Sequence, residues 1–113
     1  MTFPLYITLY RIVPESPGEE DFLSNLGKCL QPRGTERLDP TIWTGTSTYE
    51  TRELAQATAR HYRRIGTHLA QLQIPNDDPR ILVRPTLSPG HYTLLGCARL
   101  IRAYMAAISA VED

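Results

Sequence analysis

The sequence predicts an α+β fold, a small mixed and twisted β-sheet with two helices, in one domain that spans residues 1–113. Two observations predict this fold. Short runs rich in β-branched and aromatic residues alternate with stretches whose apolar residues recur at helical spacing. The length of 113 residues suits a single hydrophobic core and is too short for two.

The composition is that of an ordinary folded domain. Apolar residues make up 42% of the chain, which argues against disorder. The 12 basic residues balance 12 acidic ones, so net charge gives no argument for nucleic-acid or membrane binding. No apolar run reaches the ~20 residues that span a bilayer, and no signal peptide is recognisable. Because Cys29 and Cys97 form no CxxC motif, we expect a cytoplasmic location with reduced thiols, although spacing leaves a disulfide between them open.

The first two predicted elements are a central strand and a helix. The run Leu5–Val13 is dense in β-branched and aromatic residues, which predicts a strand buried on both faces. Arg11 interrupts its apolar face, either as a side chain that reaches out of the strand end or as a guanidinium directed into a cleft. Ser16 as the cap and Pro17 at the first helical position then predict a helix whose apolar stripe reaches Leu30.

A loop over residues 31–41 leads into a junction between a strand and a helix. The segment Ile42–Tyr49 is rich in hydroxyl groups and is predicted to be the strand. Thr51 is placed to cap a helix over Arg52–Ile65, with Gly66 as the residue that follows its C-terminus. The free N–H groups of such a helix N-terminus, together with neighbouring hydroxyls, can hold an anion or a sugar phosphate.

The C-terminal half predicts two further strands and one ambiguous element. Alternation over His68–Ile74 indicates a half-buried strand, and Arg80–Arg84 is a second strand after the turn at residues 75–79. Together these segments predict a β-hairpin. A loop that contains Pro-Gly then presents His91. Residues 97–111 fit a helix or a closing strand, and the sequence leaves both open.

No complete catalytic or metal-binding motif is present. Histidines and cysteines lack the spacing of metal ligands, so no metal site is expected. Ser47 lacks the setting of a hydrolase nucleophile, because Tyr49 stands where the second glycine of G-x-S-x-G would be. The remaining candidate catalytic residues are Arg11, Tyr49 and His91, with Ser47 and Thr48 as further ligand-binding residues. Arginine can pair with phosphate, tyrosine can stack on a flat ring and hydroxyls can bond ribose, which favours a nucleotide-type ligand.

The last turns of the helix predicted over Arg52–Ile65 are basic, with Arg60, Arg63 and Arg64 close together. Such a patch can contact phosphate or an RNA end. Cations near a helix C-terminus also stabilise the helix by ~0.3–1 kcal/mol each, which is the commoner reason for the pattern. Nucleic acid is therefore not the expected partner.

Three features of the chain resemble the ADP-ribosyltransferase fold in its small bacterial forms, akin to RES-domain toxins and RNA 2′-phosphotransferases. An early strand carries an arginine in Tyr10–Val13. The segment Trp43–Tyr49 is similar to the family's Gly-x-x-Tyr strand, and a helix that opens with Glu53–Ala55 follows it. The resemblance covers roughly Leu9 to Ile74.

The resemblance implies a toxin- or effector-like protein that binds NAD or ADP-ribose, transfers or hydrolyses ADP-ribose, and meets an antitoxin or target protein. Arg11 would bind the NAD phosphates or ribose, Ser47 would support the site, and Tyr49 would stack on nicotinamide. Related sequences place an acid on the helix after the tyrosine, where Thr58 stands here. Either the acid comes from elsewhere in the chain, or the domain is a non-catalytic ligand- or protein-binding module. The other acids considered are Glu36 and Glu112, with Glu50 and Glu53 nearby but off the pattern.

Overall fold

The computed structural model describes residues 5–23, 45–86 and 89–112. Its strands are β1 (Tyr6–Val13), β2 (Thr46–Tyr49), β3 (His68–Pro75), β4 (Leu82–Pro85), β5 (His91–Leu95) and β6 (Met105–Ala110). The helices are α1 (Arg52–His61) and α2 (Ala98–Ala103), together with a 3-10 helix at Glu19–Phe22.

The six strands form one sheet in the order β4-β5-β2-β1-β3-β6, and all neighbours in it are antiparallel. The predicted α+β class is confirmed, and the predicted mixed sheet is wrong. The predicted hairpin between β3 and β4 is also wrong. Both sides of β3 are occupied, by β1 and β6, so β4 pairs with β5 at the far edge of the sheet.

Strand β1 is central, as its sequence predicts. It pairs with β3 over its whole length, from Tyr6 opposite Pro75 to Val13 opposite His68. Its side chains alternate between the two faces of the sheet. Both faces are covered by hydrophobic cores, which explains why the strand reads as an almost continuous apolar run.

The sheet separates a larger core from a smaller one. The larger core lies on the face covered by α2 and the 3-10 helix, and its largest buried side chains are Leu9, Val13, Phe22, Leu72, Ile74, Leu94 and Ile101. The smaller core lies under α1 and contains Ile12, Ala55, Ala59 and Leu69, with Tyr10 and Tyr49 packed against it. The two faces of the sheet are therefore covered by different helices and differ in the size of their cores.

Helix α1 begins as predicted and ends early. The Thr51 hydroxyl accepts a hydrogen bond from the Leu54 N–H at 3.2 Å, which confirms the N-cap. The helix ends at His61, so the predicted extension to Ile65 is wrong. Gly66 is not the residue after the helix. Its backbone instead lies against β1, and an added Cβ would be 2.5 Å from the carbonyl oxygen of Val13.

The N-terminal helical segment also differs from its prediction. The 3-10 helix is capped at Gly18, whose N–H donates to the Asp21 carboxylate at 2.8 Å, and Ser16 is not the cap. The Asp21 carboxylate, inside the first turn, thus accepts the hydrogen bond from a free backbone N–H that the Ser16 side chain was expected to accept. The continuation of the predicted helix to Leu30 and the loop at residues 31–41 lie outside the described residues.

The C-terminal residues 97–111 form both of the predicted alternatives in succession, helix α2 and then strand β6. Ala98 and Ile101 anchor the helix in the larger core, and the chain straightens after Tyr104 to pair with β3. Cys97, just before the helix, is exposed and free. No helix in the described part of the chain is long and apolar enough to cross a membrane.

Candidate functional site

Alternation along β2 divides its side chains between the two faces of the sheet. Thr46 and Thr48 are buried toward the larger core, and their hydroxyls donate to the carbonyls of Phe22 at 2.7 Å and Tyr92 at 2.9 Å. The hydroxyl of Thr48, a predicted ligand-binding residue, thus has a backbone partner. Ser47 and Tyr49 are half-buried on the opposite face.

Tyr49 and His91 come together across neighbouring strands. Tyr49 lies directly opposite His91 in the β2–β5 register. Their ring centroids are 5.3 Å apart and the ring planes meet at 81°, an edge-to-face contact. His91 begins β5 and does not belong to the preceding loop, whose Gly90 has a φ of 86°. We call this contact the Tyr49–His91 pair.

A chain of hydroxyl groups supports the histidine. The Thr86 hydroxyl lies 2.9 Å from His91 Nδ1 and 2.7 Å from the hydroxyl of Thr93. His91 is only 4% exposed. Burial lowers the pKa of His91 from its ordinary value, and a hydrogen bond with the backbone of Thr86 opposes this shift more weakly. His91 is therefore a neutral imidazole at pH 7.

The lowered pKa of His91 predicts a pH-dependent stability. In the unfolded chain His91 binds a proton near pH 6.5, while the folded protein binds it only at lower pH. Stability is thus fully present above pH 6.5 and is lost as the pH falls through the folded pKa, with a slope of at most about 1.4 kcal/mol per pH unit. Denaturant unfolding between pH 5 and 8 measures this slope. His91→Gln should flatten it, and an unchanged slope in the variant would contradict the assignment.

Helix α1 packs over the face of the sheet that carries Tyr49. The Thr58 hydroxyl on this helix donates to the carbonyl of Leu54 at 2.8 Å. Burial raises the pKa of Tyr49, and the hydrogen bond with Thr58 and the charge of Arg11 act in the opposite direction. Thr58, at the position where the resemblance implies an acid, therefore lies close enough to Tyr49 to influence its pKa.

Arg11 has a place that neither sequence alternative describes. The pairing between β1 and β2 is confined to Tyr10 opposite Tyr49. Next to this residue pair, the Arg11 side chain links β1 to the 3-10 helix and to β2. Its Nε donates to the carbonyl of Asp21 and its Nη1 to that of Ser47, both at 2.7 Å. By strand alternation Arg11 lies on the face of the larger core, opposite the face of the Tyr49–His91 pair.

The positive charge of Arg11 nevertheless acts on Tyr49, because it lowers the pKa of the tyrosine. Burial lowers the pKa of Arg11 to about 10, and the charges of Tyr49 and Asp21 oppose that shift. The guanidinium remains protonated at neutral pH. The structure thus brings Tyr49 and His91 into direct contact, whereas Thr58 and Arg11 influence Tyr49 from helix α1 and from the other face of the sheet.

The Glu50 carboxylate approaches Gly90, the residue that precedes His91. The Glu50 N–H donates to the Gly90 carbonyl at 2.7 Å, which closes the end of the β2–β5 ladder. The Glu50 carboxylate is 3.9 Å from the point that a Cβ on Gly90 would occupy, and the residue is exposed. Glu53 is exposed on α1, and Glu36 lies outside the described residues. Glu112 is tied to α1 through its backbone N–H and carbonyl.

Three clefts lined by described residues lie elsewhere on the molecule. One of about 490 Å³ adjoins Tyr6 and Pro75, and one of about 400 Å³ adjoins Cys97 and Arg99. The smallest, about 220 Å³, lies by the C-terminal end of α1, and its lining includes Arg60, Arg63 and Thr67. Within residues 5–23, 45–86 and 89–112, no group of three metal-ligating side chains comes together.

Sequence reasoning missed Thr86 and Thr93 as partners of His91, and it read Thr58 only as a missing acid. The register of β2 and β5 places Thr93 opposite Ser47, but strand pairing is not visible in one sequence. Thr86 follows Pro85 in a segment with no local motif. Its role could have been found only from the folded chain.

The geometry defines a small antiparallel α+β domain with an aromatic and histidine pair at one end of two strands. Comparisons with protein-family models, with curated proteins and with solved structures found no match to this chain.

Proposed function

We propose that the protein binds a nucleotide of the NAD or ADP-ribose type at the Tyr49–His91 pair, as a small bacterial toxin- or effector-like protein. One observation carries the proposal. The Tyr49 and His91 rings are in edge-to-face contact, and Thr58 of helix α1 lies close to Tyr49. A tyrosine held in this way has lost rotational freedom before any ligand arrives, which lowers the cost of stacking a flat ring on it.

The residues around the pair have the chemistry that a ribosylated ring requires. Ser47 supplies a half-buried hydroxyl on the same face, and Glu50 supplies an exposed carboxylate, which are natural partners for ribose hydroxyls. The neutral imidazole of His91 offers a hydrogen-bond donor or acceptor without a charge. Arg11 contributes a positive charge at a distance in this proposal, in place of the phosphate contact that the resemblance assigns to it, because its side chain lies on the other face of the sheet.

Transfer or hydrolysis of ADP-ribose needs a group that stabilises positive charge on the ribose. The bond between nicotinamide and C1′ breaks, nicotinamide leaves with the bonding electrons, and an oxygen of water or of a target forms the new bond and loses its proton. Thr58 cannot supply the negative charge. We propose Glu50 for this role, because it directly follows Tyr49 and its carboxylate approaches Gly90, the residue before His91. Without such a group the same surface is a binding module that performs no reaction.

Thermal unfolding in the presence of NAD, ADP-ribose and nicotinamide tests the proposal. A ligand at a hundred times its Kd stabilises the folded state by about 2.7 kcal/mol, which is a readily measured shift in Tm. We expect the shift with NAD or ADP-ribose and its loss in Tyr49→Leu. Tyr6→Leu is the matched control, because Tyr6 is 45% exposed and lies at the far end of β1, opposite Pro75.

Detection of released nicotinamide separates the two forms of the proposal. Release by the native protein, with loss of release and retained binding in Glu50→Gln, supports an enzyme. Binding without release supports the non-catalytic module. No stabilisation by any of these ligands at millimolar concentration would exclude the nucleotide site altogether.

A second candidate rests on the cleft of about 220 Å³ at the C-terminal end of α1. Arg60 and Arg63 line it, and the Arg60 Nε–H donates to the Glu112 carbonyl at 2.6 Å, which holds one edge of this guanidinium in place. Such a cleft suits a terminal phosphate of RNA. The same unfolding assay with a phosphorylated oligoribonucleotide distinguishes it, because phosphate binding weakens steeply with salt and would not depend on Tyr49.

A further inference from the structure

The cleft of about 400 Å³ beside α2 shares no lining residue with the Tyr49–His91 pair. Small-molecule sites have volumes of ~300–1,000 Å³, so this cleft is large enough to hold a ligand. Two of its five lining residues are arginines, and we call it the Arg80–Arg99 cleft. The full lining consists of Arg80, Cys97, Arg99, Leu100 and Ala103.

The segments that form the cleft meet at Gly96, where β5 leads into α2. A Cβ added to Gly96 would lie 3.0 Å from the Arg80 carbonyl oxygen and 3.1 Å from the Ile81 side chain. The link between β5 and α2 thus passes directly beside Arg80. This close approach places the start of α2, with Cys97 and Arg99, next to Arg80.

The Arg80 guanidinium is held in one orientation by the carboxylate of Asp78. Its Nε and Nη2 donate to the two oxygens of that carboxylate at 2.9 Å and 2.8 Å. The Asp78 side chain is only 6% exposed, and it also accepts a hydrogen bond from the Tyr104 hydroxyl. In the part of the chain that the structure describes, no group accepts a hydrogen bond from Arg80 Nη1. This nitrogen therefore keeps two N–H donors, in a fixed position, for a ligand.

Arg99 adds a second positive charge to the cleft. It is exposed on α2, whose sequence ARLIRA contains no acid. Among residues 5–23, 45–86 and 89–112, no carboxylate forms an ion pair with it, whereas Asp78 offsets the charge of Arg80. The excess of a single positive charge favours an anion, and in particular a monoanion.

The rest of the lining includes apolar surface. Leu100 is half-buried and packs against the larger core, and Ala103 is exposed one turn further along α2. A small number of charged donors beside apolar side chains is the usual composition of a small-molecule site. An inorganic anion would contact the arginines and leave this apolar surface in water. A ligand with an apolar body removes it from water and gains the corresponding hydrophobic free energy.

We infer that the Arg80–Arg99 cleft binds a small organic monoanion, a carboxylate carried on an apolar chain or ring. The carboxylate accepts hydrogen bonds from Arg80 Nη1 and from the Arg99 guanidinium, and the apolar body lies on Leu100 and Ala103. This inference does not depend on the nucleotide site, because no residue of the cleft belongs to that site.

Cys97 can report occupancy of the cleft, because its exposed thiol belongs to the lining. Hexanoate is the probe, and mass spectrometry of the peptide that contains Cys97 follows its alkylation by iodoacetamide. We expect hexanoate to slow the reaction in a saturable manner at millimolar concentration. Acetate lacks the apolar body, hexanol lacks the charge and hexylammonium has the opposite charge, so each should protect Cys97 far less at the same concentration.

Two variants test the assigned residues. Arg99→Gln should raise the Kd of hexanoate roughly three- to tenfold, since it removes a charged donor from a partly solvated site. Arg102→Gln is the matched control, because Arg102 is exposed on the same helix but does not line the cleft. Ala103→Glu adds a carboxylate to the lining and should abolish protection. The rates with and without hexanoate are compared within each variant, so a change in the intrinsic reactivity of the thiol does not affect the result.

Circular dichroism confirms that each variant is folded. Absence of protection at tens of millimolar hexanoate, equal protection by hexylammonium, or an equal rise in Kd for Arg99→Gln and Arg102→Gln would overturn the inference. Tyr49→Leu should leave the protection unchanged, and its loss in that variant would also overturn the inference. The failure of this cleft and the failure of the nucleotide site are therefore distinguishable.

Discussion

Replacing Arg11 by methionine is expected to lower the free energy of unfolding by about 3 kcal/mol. The substitution removes two hydrogen bonds from a charged donor, to the carbonyls of Asp21 and Ser47, and leaves both acceptors in a partly buried setting. Hydrogen bonds to charged groups contribute about 1.5–3 kcal/mol each, and relief of the buried charge offsets part of the loss. For a domain of this size the Tm should fall by roughly 10–15 °C.

Arg84→Met is the control for this substitution, since Arg84 is exposed on the edge strand β4 and should change stability by less than about 0.5 kcal/mol. Arg11→Lys should recover only part of the loss, because an ammonium group lacks the planar fork that reaches two carbonyls. Denaturant unfolding measures all three variants. Equal stability of Arg11→Met and the native protein would show that the guanidinium does not link the 3-10 helix to β2.

Replacing Gly66 by alanine is expected to cost about 3 kcal/mol, comparable to the larger overpacking effects seen in protein interiors. The added Cβ would lie 2.5 Å from the Val13 carbonyl oxygen and 2.8 Å from its carbonyl carbon. These are backbone atoms of the central strand, so they cannot turn aside as a flexible side chain can. The chain between α1 and β3 would have to move away from β1 and would weaken the start of the β1–β3 ladder.

Gly18→Ala provides a matched comparison. There the nearest atoms to an added Cβ, at 2.4 Å and 2.7 Å, belong to the carboxylate of the exposed Glu20 side chain. That side chain can rotate away, and Gly18 has a φ of −97°, which alanine adopts without strain. We expect a change within about 0.5 kcal/mol. Similar losses for Gly18→Ala and Gly66→Ala in chemical denaturation would refute the backbone explanation.

The Arg11 contacts also bear on the proposed function, because they position β2. Arg11 fixes β2 where its pairing with β1 ends, and β2 carries Tyr49. A loss of ligand binding in Arg11→Met would therefore have two causes that this variant does not separate, the displacement of β2 and the removal of a positive charge. Tyr49→Leu and Glu50→Gln act on the proposed site more directly, and they are the variants on which the functional conclusion depends.

Local signals were sufficient for several elements. The apolar run of β1, the alternation of β3 and the Thr51 cap act over a few residues, and each is found where the sequence predicts it. The signals failed where a distant group competes with a local one. Gly66 illustrates this, because the reason for a glycine there is the backbone of Val13 and not the end of a helix.

The candidate site shows the same division. The sequence singles out Tyr49, His91 and Arg11 by residue type and by resemblance. It does not show that Tyr49 meets His91, because that contact depends on the pairing of β2 with β5. It also does not show that the guanidinium of Arg11 is engaged by two backbone carbonyls on the other face of the sheet.

The sequence by itself therefore determined the α+β class, the central strand, the start of the helix after Tyr49 and the residue types from which a nucleotide site could be built. The tertiary structure alone decided the antiparallel order of the six strands, the partners of Tyr49 and Arg11, and the cleft between Arg80 and Arg99. The physical reason is one of range. Helix caps and side-chain alternation are set by neighbours along the chain, whereas strand pairing and buried hydrogen bonds join residues that are distant in sequence.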